Sequence, residues 1–296
     1  MIVRPPFTEF KHQRATERRN DLAWQAENWP TGQVLVVTTD HCFPCTEPSF
    51  GAELVWRPAT ECTSDLSSRV FLGLLEGVPR YMVRGGPGDW APHWCDLRQV
   101  AEHLPLEEQG VLVEAIALAK WHDRHVVSPI DGAPTEWVEG GWQTRSTSDG
   151  SLHFPRTDPA VIMLIHDGED RCVLARGVGW PEGRFSLLAG FVEPGETLEA
   201  AVLRETKEEV GLDVTDMHYV GSQPWPFPSS IMLGFVARVC DPEQPLHINP
   251  DEIEEARWFT KQEIDEDLRL GNWSSLSISH RIIHDWAGGH LNPRAL

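Results

Sequence analysis

Apolar and polar positions change period several times along this 296-residue chain. Residues 32–39, GQVLVVTT, and 69–85, RVFLGLLEGVPRYMVRG, are apolar runs punctuated by turn formers, and they predict strands. Residues 96–125 place Leu112, Ala115, Ile116 and Ala119 at helical spacing and predict a helix. The Pro- and Gly-rich residues 128–150 predict a connector. Beyond it, AVIMLI (160–165) and CVLARG (172–177) are unbroken apolar runs around the turn HDGEDR, the pattern of strands buried on both faces. SSIMLGFVARV (229–239) predicts another strand, and EARWFTKQEI and SISHRIIHDWAGG predict closing strand and helix elements. Neither a repeat nor a low-complexity tract interrupts this order. The division expected is a first α/β unit over residues 1–97, a helix and connector over 98–155, and a third unit over 156–296.

Composition narrows the class. With 41% hydrophobic and 24% charged residues, the chain reads as globular. No apolar run approaches the roughly 18 residues of a membrane span, and the first residues lack a signal-peptide core, so no membrane partner and a cytoplasmic location are expected. Six cysteines are scattered, which suits reduced thiols. Cys42 and Cys45 form a lone CxxC, weak support for metal or redox chemistry without a second pair. The formal net charge of −20 repels polyanions. A phosphate ligand would therefore need local neutralisation, for which a divalent cation on a carboxylate cluster is the obvious device.

Residues 190–212, GFVEPGETLEAAVLRETKEEVGL, supply such a cluster. On a helix of about 3.6 residues per turn, Glu205, Glu208 and Glu209 fall within an arc of roughly 100°. Val202, Thr206 and Val210 form the neighbouring core-side arc. Like charges so close destabilise a free helix. They make sense beneath a hard cation that takes oxygen ligands. Gly211 suits the left-handed residue just past a helix end, and Gly190 lets backbone approach a metal or phosphate.

The spacing of Gly190, Glu196, Arg204-Glu205, Glu208-Glu209 and Gly211-Leu212 resembles the Nudix box, the signature of hydrolases that cleave nucleoside diphosphates linked to another group. Thr206 departs from the aliphatic residue usual there; it is close to isosteric with valine. The resemblance implies an α/β (α+β) protein whose C-terminal domain is an α/β/α sandwich, preceded by a smaller, Nudix-like α/β domain. It implies Mg²⁺ or Mn²⁺ held by Glu205, Glu208, Glu209 and the Ala189 carbonyl, with Glu208 or Glu209 assisting deprotonation of the attacking water. It assigns Glu196 and Arg204 to a structural pair. The string SQPWPFPSS (222–230) closely resembles the signature of the NADH pyrophosphatase subfamily, the NAD-capped RNA hydrolases, and GGWQTR, LHFPRTDPAVIMLI and ALAKWHDRH are similar to it as well.

That subfamily implies hydrolysis of the NAD(H) pyrophosphate to nicotinamide mononucleotide and AMP, and removal of NAD caps from RNA (deNADding). Other dinucleotides, such as ADP-ribose or diadenosine polyphosphates, are the alternative substrates. The resemblance implies a further metal ligand at Glu252, with Asp251, Glu254 and Glu255 beside it as competitors. It implies a substrate loop of Gln223, Pro224, Trp225, Pro226, Phe227, Pro228, Ser229 and Ser230. It adds Ser279 and Arg98 as substrate contacts, a helix-surface ion pair being an equal reading of Arg98. Phe154 and Phe191 would sandwich a flat base, and the family implies a homodimer. Subfamily members commonly carry a zinc ribbon of two Cys-x2-Cys pairs. Here the register is kept, but the four positions are Ser128, Asp131, Ser146 and Asp149. Structural zinc is held by thiolate and imidazole, so no structural zinc is expected. Instead each Ser-x2-Asp-Gly predicts a tight turn held by side-chain-to-backbone bonds, with Gly at positive φ.

Overall fold

A computed structural model describes residues 2–8, 12–49, 51–62, 68–270, 273 and 275–291. It divides into two compact units, one made of residues 1–8, 158–224 and 230–296, the other of 9–157 and 225–229. These differ from the expected division in two ways. Residues 98–155 belong to the same unit as the N-terminal sheet. The first residues belong with the C-terminal unit: Val3 lies in its core, and its amide donates to the Val220 carbonyl at 2.6 Å.

The N-terminal unit contains α1 (Leu22–Asn28) and a sheet of β1 (Gln33–Val37), β3 (Arg57–Pro58), β4 (Arg69–Leu75) and β5 (Val78–Arg84), in the order β3-β1-β5-β4. β1 and β5 are parallel, with Val36 opposite Val83 and Val37 opposite Arg84. The short strands β2 (Phe43–Cys45) and β6 (His93–Cys95) pair separately, with Phe43 opposite Cys95. Cys45 and Cys95 therefore sit diagonally on one face and form a disulfide, which corrects the expectation of wholly reduced thiols. Cys42 keeps a free thiol, so the CxxC does not act as a unit. The helix expected over 96–125 is two helices, α2 (Leu97–Val100) and α3 (Leu106–Arg124). Pro105 separates them because it disfavours a helical conformation at the residue before it and lacks an N–H.

The connector is a three-stranded ribbon of β7 (Thr135–Val138), β8 (Gln143–Ser146) and β9 (Leu152–His153). Its two turns repeat one bonding pattern. Ser128 Oγ accepts from the Ile130 amide and Asp131 Oδ1 from the Ala133 amide, at 3.2 and 3.0 Å. Ser146 Oγ accepts from Ser148 and Asp149 Oδ1 from Ser151, at 3.2 and 2.9 Å. Gly132 and Gly150 take φ of 74° and 75°, the left-handed region the turn reading required.

The C-terminal unit is built on β10 (Asp158–His166), β11 (Arg171–Gly177), β12 (Leu188–Phe191), β13 (Val214–Trp225), β14 (Ser230–Val239) and β15 (Ile253–Thr260), with α4 (Leu198–Val210), α5 (Lys261–Arg269) and α6 (Ile278–Ala287). The strand order is β13-β14-β10-β11-β15, and β12 also pairs with β10. Strand side chains alternate between faces. Accordingly Val161, Met163 and Ile165 of β10 join Ala201, Val202 and Val210 of α4 in one core. Ile162 and Leu164 join Ile278, Ile282, Ile283 and Trp286 of α6 in the other. The AVIMLI run is continuous because both faces of its strand are covered, and the unit is the α/β/α sandwich expected.

Candidate active site

The loop that enters α4 is fixed locally. Thr197 Oγ1 caps the helix by accepting from the Ala200 amide at 3.2 Å, and Gly195 takes φ of 88°. At the far end Gly211 has φ of 77° and closes the last turn with its amide on the Lys207 carbonyl at 3.0 Å. Residues 247–249 dock on that turn: the His247 amide donates to Val210 and the Asn249 amide to Glu209, at 2.9 and 3.0 Å. The same segment leads directly into Glu252, whose carbonyl accepts from the Val178 amide at 2.9 Å. Periodicity gave no sign of this docking, because backbone bonds made by a loop leave no hydrophobic pattern.

Arg204 sits at the centre of the acidic face. It grips Glu196 through two bonds, Nε to Oε1 at 2.8 Å and Nη2 to Oε2 at 2.9 Å. Nη2 also donates to the Phe191 carbonyl at 2.8 Å, which ties β12 to α4. Nη1 reaches Glu205 at 2.7 Å and Glu208 at 3.0 Å. The hydrogen bond from Arg204 holds the Glu196 carboxyl well below the usual carboxylate range. The structural pairing of Glu196 and Arg204 is as expected; the reach of Arg204 to both box carboxylates was not foreseen.

Glu205 and Glu209 are buried, while Glu208 is exposed. Burial raises Glu205, against the pull of Arg204. Burial pushes Glu209 further, to about 8, with the charges of Glu205 and Glu252 adding to it and a hydrogen bond from the Ala189 backbone opposing it. Of the four neighbouring acids, Glu252 is the one whose charge acts on both box glutamates. Glu254 is bonded to Arg176 and Glu255 lies 3.6 Å from the same guanidinium. β12 closes the site from the sheet side, with Gly190 opposite Val161. A Cβ on Gly190 would lie 1.8 Å from the Glu205 Cδ, so this strand position must be glycine for the carboxylate to lie where it does.

Three features fit a hard divalent cation. The donors are all oxygen, as such ions prefer. Glu209 Oε2 is buried without a hydrogen-bond partner among the described residues. Gly190 opens the space that Glu205 fills. Among the described residues no three acidic, imidazole or thiol side chains converge as a ready-made metal site. The reason is visible in Arg204, whose guanidinium draws Glu205 and Glu208 to itself. A cation would have to compete with that guanidinium for both carboxylates.

The expected substrate residues divide between the units. Gln223, Pro224, Ser230, Phe191 and Ser279 belong to the C-terminal unit, and Arg98, Phe154 and residues 225–229 to the other. Phe191 and Phe154 are 57% and 61% exposed, unlike core aromatics. Gln223 is fully buried, and its amide bonds the Pro6 and Leu276 carbonyls and the Ile278 amide, so its side chain anchors the start of the loop. Ser279 is also buried; its hydroxyl meets Ser186 Oγ at 2.9 Å and the Leu187 amide at 3.3 Å. In the loop, Trp225 and Phe227 meet edge to face at 5.0 Å. The Arg98 guanidinium lies 4.2 Å from the Phe227 centroid, and Lys120 Nζ lies 4.6 Å from it. Lys120 also donates to the Pro226 carbonyl at 2.6 Å. Lys120 was missed as a loop partner; its helical position alone does not distinguish it from a surface lysine.

The profile described as "NUDIX domain" matches residues 156–278. The chain is 40% identical over 295 residues to the NAD-capped RNA hydrolase NudC of Mycobacterium tuberculosis strain H37Rv, covering 93% of this chain and 92% of that one. The human NAD-capped RNA hydrolase NUDT12 is 38% identical over 205 residues, 64% of this chain and 44% of its own. Among solved structures, a NUDIX hydrolase from Nitrosomonas europaea covers 54% of this chain and 86% of its own at 24% identity, with a TM-score of 0.42.

Proposed function

The chain belongs to the Nudix hydrolase family, and from that premise we propose that it cleaves the pyrophosphate bond of NAD(H), giving nicotinamide mononucleotide and AMP, and the same bond in NAD-capped RNA. The observation that carries the reading is the buried carboxylate pair Glu205 and Glu209, backed by Gly190 and faced by Glu252. The reading is supported further by relatives of nearly full length that are named for the NAD cap.

Glu205, Glu208, Glu209, Glu252 and the Ala189 carbonyl would hold Mg²⁺ or Mn²⁺. A cation bound there supplies positive charge for the pyrophosphate oxygens and makes a water molecule more acidic. Glu208 or Glu209 would take a proton from the attacking water, and the exposure of Glu208 supports the former. Arg204 keeps the loop and helix in register, and a bound ion would take over its contacts to Glu205 and Glu208. Phe191 in the C-terminal unit, and Phe154, Trp225 and Phe227 in the other, each present a flat face of the kind on which bases stack. Pro224, Pro226 and Pro228 restrict the backbone of the substrate loop, which Ser229 and Ser230 complete, and Arg98 supports Phe227 from one side. The proposal includes a homodimer in the cytoplasm, the state implied by the resemblance to dimeric members, and no structural zinc.

The test is a product assay with NADH, NAD⁺, ADP-ribose and a NAD-capped oligonucleotide in parallel, each with Mg²⁺ and Mn²⁺. Nicotinamide mononucleotide release from NADH or the capped RNA is expected, and Glu208→Gln and Glu209→Gln should each lower kcat by at least about 100-fold. Cleavage of ADP-ribose in preference to both would move the assignment to the alternative dinucleotides.

A further inference from the structure

A cavity lies in the N-terminal unit, remote in sequence from the box. Its volume is about 530 Å³, within the few hundred to about a thousand typical of small-molecule sites. Its position is not arbitrary. Val36 and Val83 line it, and they are register partners at the C-terminal ends of the parallel strands β1 and β5. In open sheets, ligands bind outside the carboxyl ends of parallel strands. There the chain continues as RGGPGDW, and Arg84, Gly85 and Gly86 all reach the cavity wall. A Cβ on Gly86 would meet nothing within 4 Å, so backbone is left open to approach by a ligand.

The lining combines two chemistries. Arg57 and Arg84 supply guanidinium groups, and Trp90 and Trp137 supply indole faces. The Arg57 guanidinium lies 4.7 Å from the Trp90 centroid. Trp137 is held from outside by His122, stacked at 3.8 Å. Arg84 is only half used. Its Nη2 donates to Asp123 Oδ2 at 2.6 Å, while its Nη1 is buried with no hydrogen-bond partner among the described residues. Buried guanidinium donors are almost always satisfied; this one has no accessible surface, so it reaches a ligand only when the Arg84 side chain turns toward the cavity. Two carboxylates oppose the guanidinium groups: Asp123, which Arg84 already bonds, and Glu61, which lies 3.6 Å from Arg57 at the surface.

We propose that this cavity binds a nucleoside phosphate, free or as a unit of single-stranded RNA, with its phosphate on Arg84 and Arg57 and its base against the indoles of Trp90 and Trp137. The site is separate from the hydrolytic carboxylates and goes beyond the activity assigned to them. It offers a phosphate two guanidinium groups without a metal ion.

The test is calorimetric titration of the full chain, with Mg²⁺ present, using AMP and a 5′-phosphorylated uridine trinucleotide, neither of which contains a pyrophosphate to be cleaved. Arg84→Gln, and independently the more exposed Arg57→Gln, should weaken binding at least about tenfold, as the loss of a charged contact does. Glu61→Gln should tighten it. NADH turnover by all three should stay within about twofold of wild type, since none touches the carboxylate site. A trinucleotide that binds more tightly than AMP identifies RNA as the source of the unit; the reverse identifies free nucleotide. Failure of both probes to bind overturns the proposal. So does binding indifferent to Arg57→Gln and Arg84→Gln in folded variants, which would place the ligand at the catalytic carboxylates.

Discussion

Two small residues on either side of the acidic helix face make opposite demands. Gly190 has no freedom, because a methyl group there would overlap the Glu205 carboxylate at 1.8 Å. Gly190→Ala should leave the fold intact and lower kcat for NADH by at least about 100-fold, the usual result when a charge-stabilising group is displaced. Steady-state kinetics beside a circular dichroism spectrum would decide it, and a variant with near-normal kcat would remove the cradle argument. Thr206 is the reverse case. It is fully buried, and its Oγ1 has no hydrogen-bond partner among the described residues. A buried hydroxyl without a partner carries an uncompensated desolvation cost, so Thr206→Val should stabilise the protein by about 1 kcal/mol in urea unfolding, with kinetics unchanged. A less stable variant would mean that the hydroxyl has a partner after all. Both residues were legible as to identity: the box spacing marked Gly190, and the departure at Thr206 was plain. The reason Gly190 must be glycine was legible only in three dimensions, because Glu205 lies fifteen positions further along the chain.

Elements were legible where one period persisted. β10 and β11 emerged because both faces of each strand are buried, and α4 because its polar and apolar arcs are separate. β12 is four residues long and carries Gly190, so it has neither length nor pattern to announce it. β13 mixes exposed and buried positions without steady alternation, and only its end, in the SQPWPFPSS string, was visible. The ribbon is the instructive intermediate. Its turn chemistry could be read residue by residue, because Ser, Asp and Gly act through local bonds. Each turn now uses the serine hydroxyl and aspartate carboxylate on its own backbone amides, which engages the atoms a metal would need. Asp149 is held below its ordinary range chiefly by the Ser151 amide. Untagged protein purified without added metal should therefore contain far less than one zinc per chain by elemental analysis, and chelation should leave its circular dichroism unchanged. Stoichiometric zinc, or unfolding on chelation that zinc alone reverses, would contradict this.

At the scale of the whole molecule, a net charge of −20 and two buried groups with opposite shifts set the response to pH. His122, buried in the N-terminal unit against the Gly141 carbonyl, is lowered by burial from 6.5 to about 4. Between those values the unfolded chain binds the extra proton, so stability falls as pH drops from 6.5 toward 4, by at most about 3.5 kcal/mol at roughly 1.4 kcal/mol per pKa unit. Glu209, in the C-terminal unit, is raised by burial and by Glu205 and Glu252 from 4.5 to about 8. Here the native state holds the proton that the unfolded chain has released. Stability therefore falls as pH rises from 4.5 toward 8, and this loss belongs to the metal-free protein. A bound cation replaces the proton and offsets the charge of Glu209, so metal should remove the alkaline loss and leave the acid one untouched. The expected result is a melting temperature that peaks at mildly acidic pH in chelator. Mn²⁺ or Mg²⁺ should raise the alkaline arm alone. His122→Gln, which can still donate to Gly141 but does not titrate, should flatten the acid arm alone. Calorimetric scans from pH 4 to 9, with and without metal, on both proteins would show the separation. If metal stabilises equally at pH 5 and pH 8, Glu209 does not hold its proton near neutrality, and the cation is bound by groups other than the buried pair.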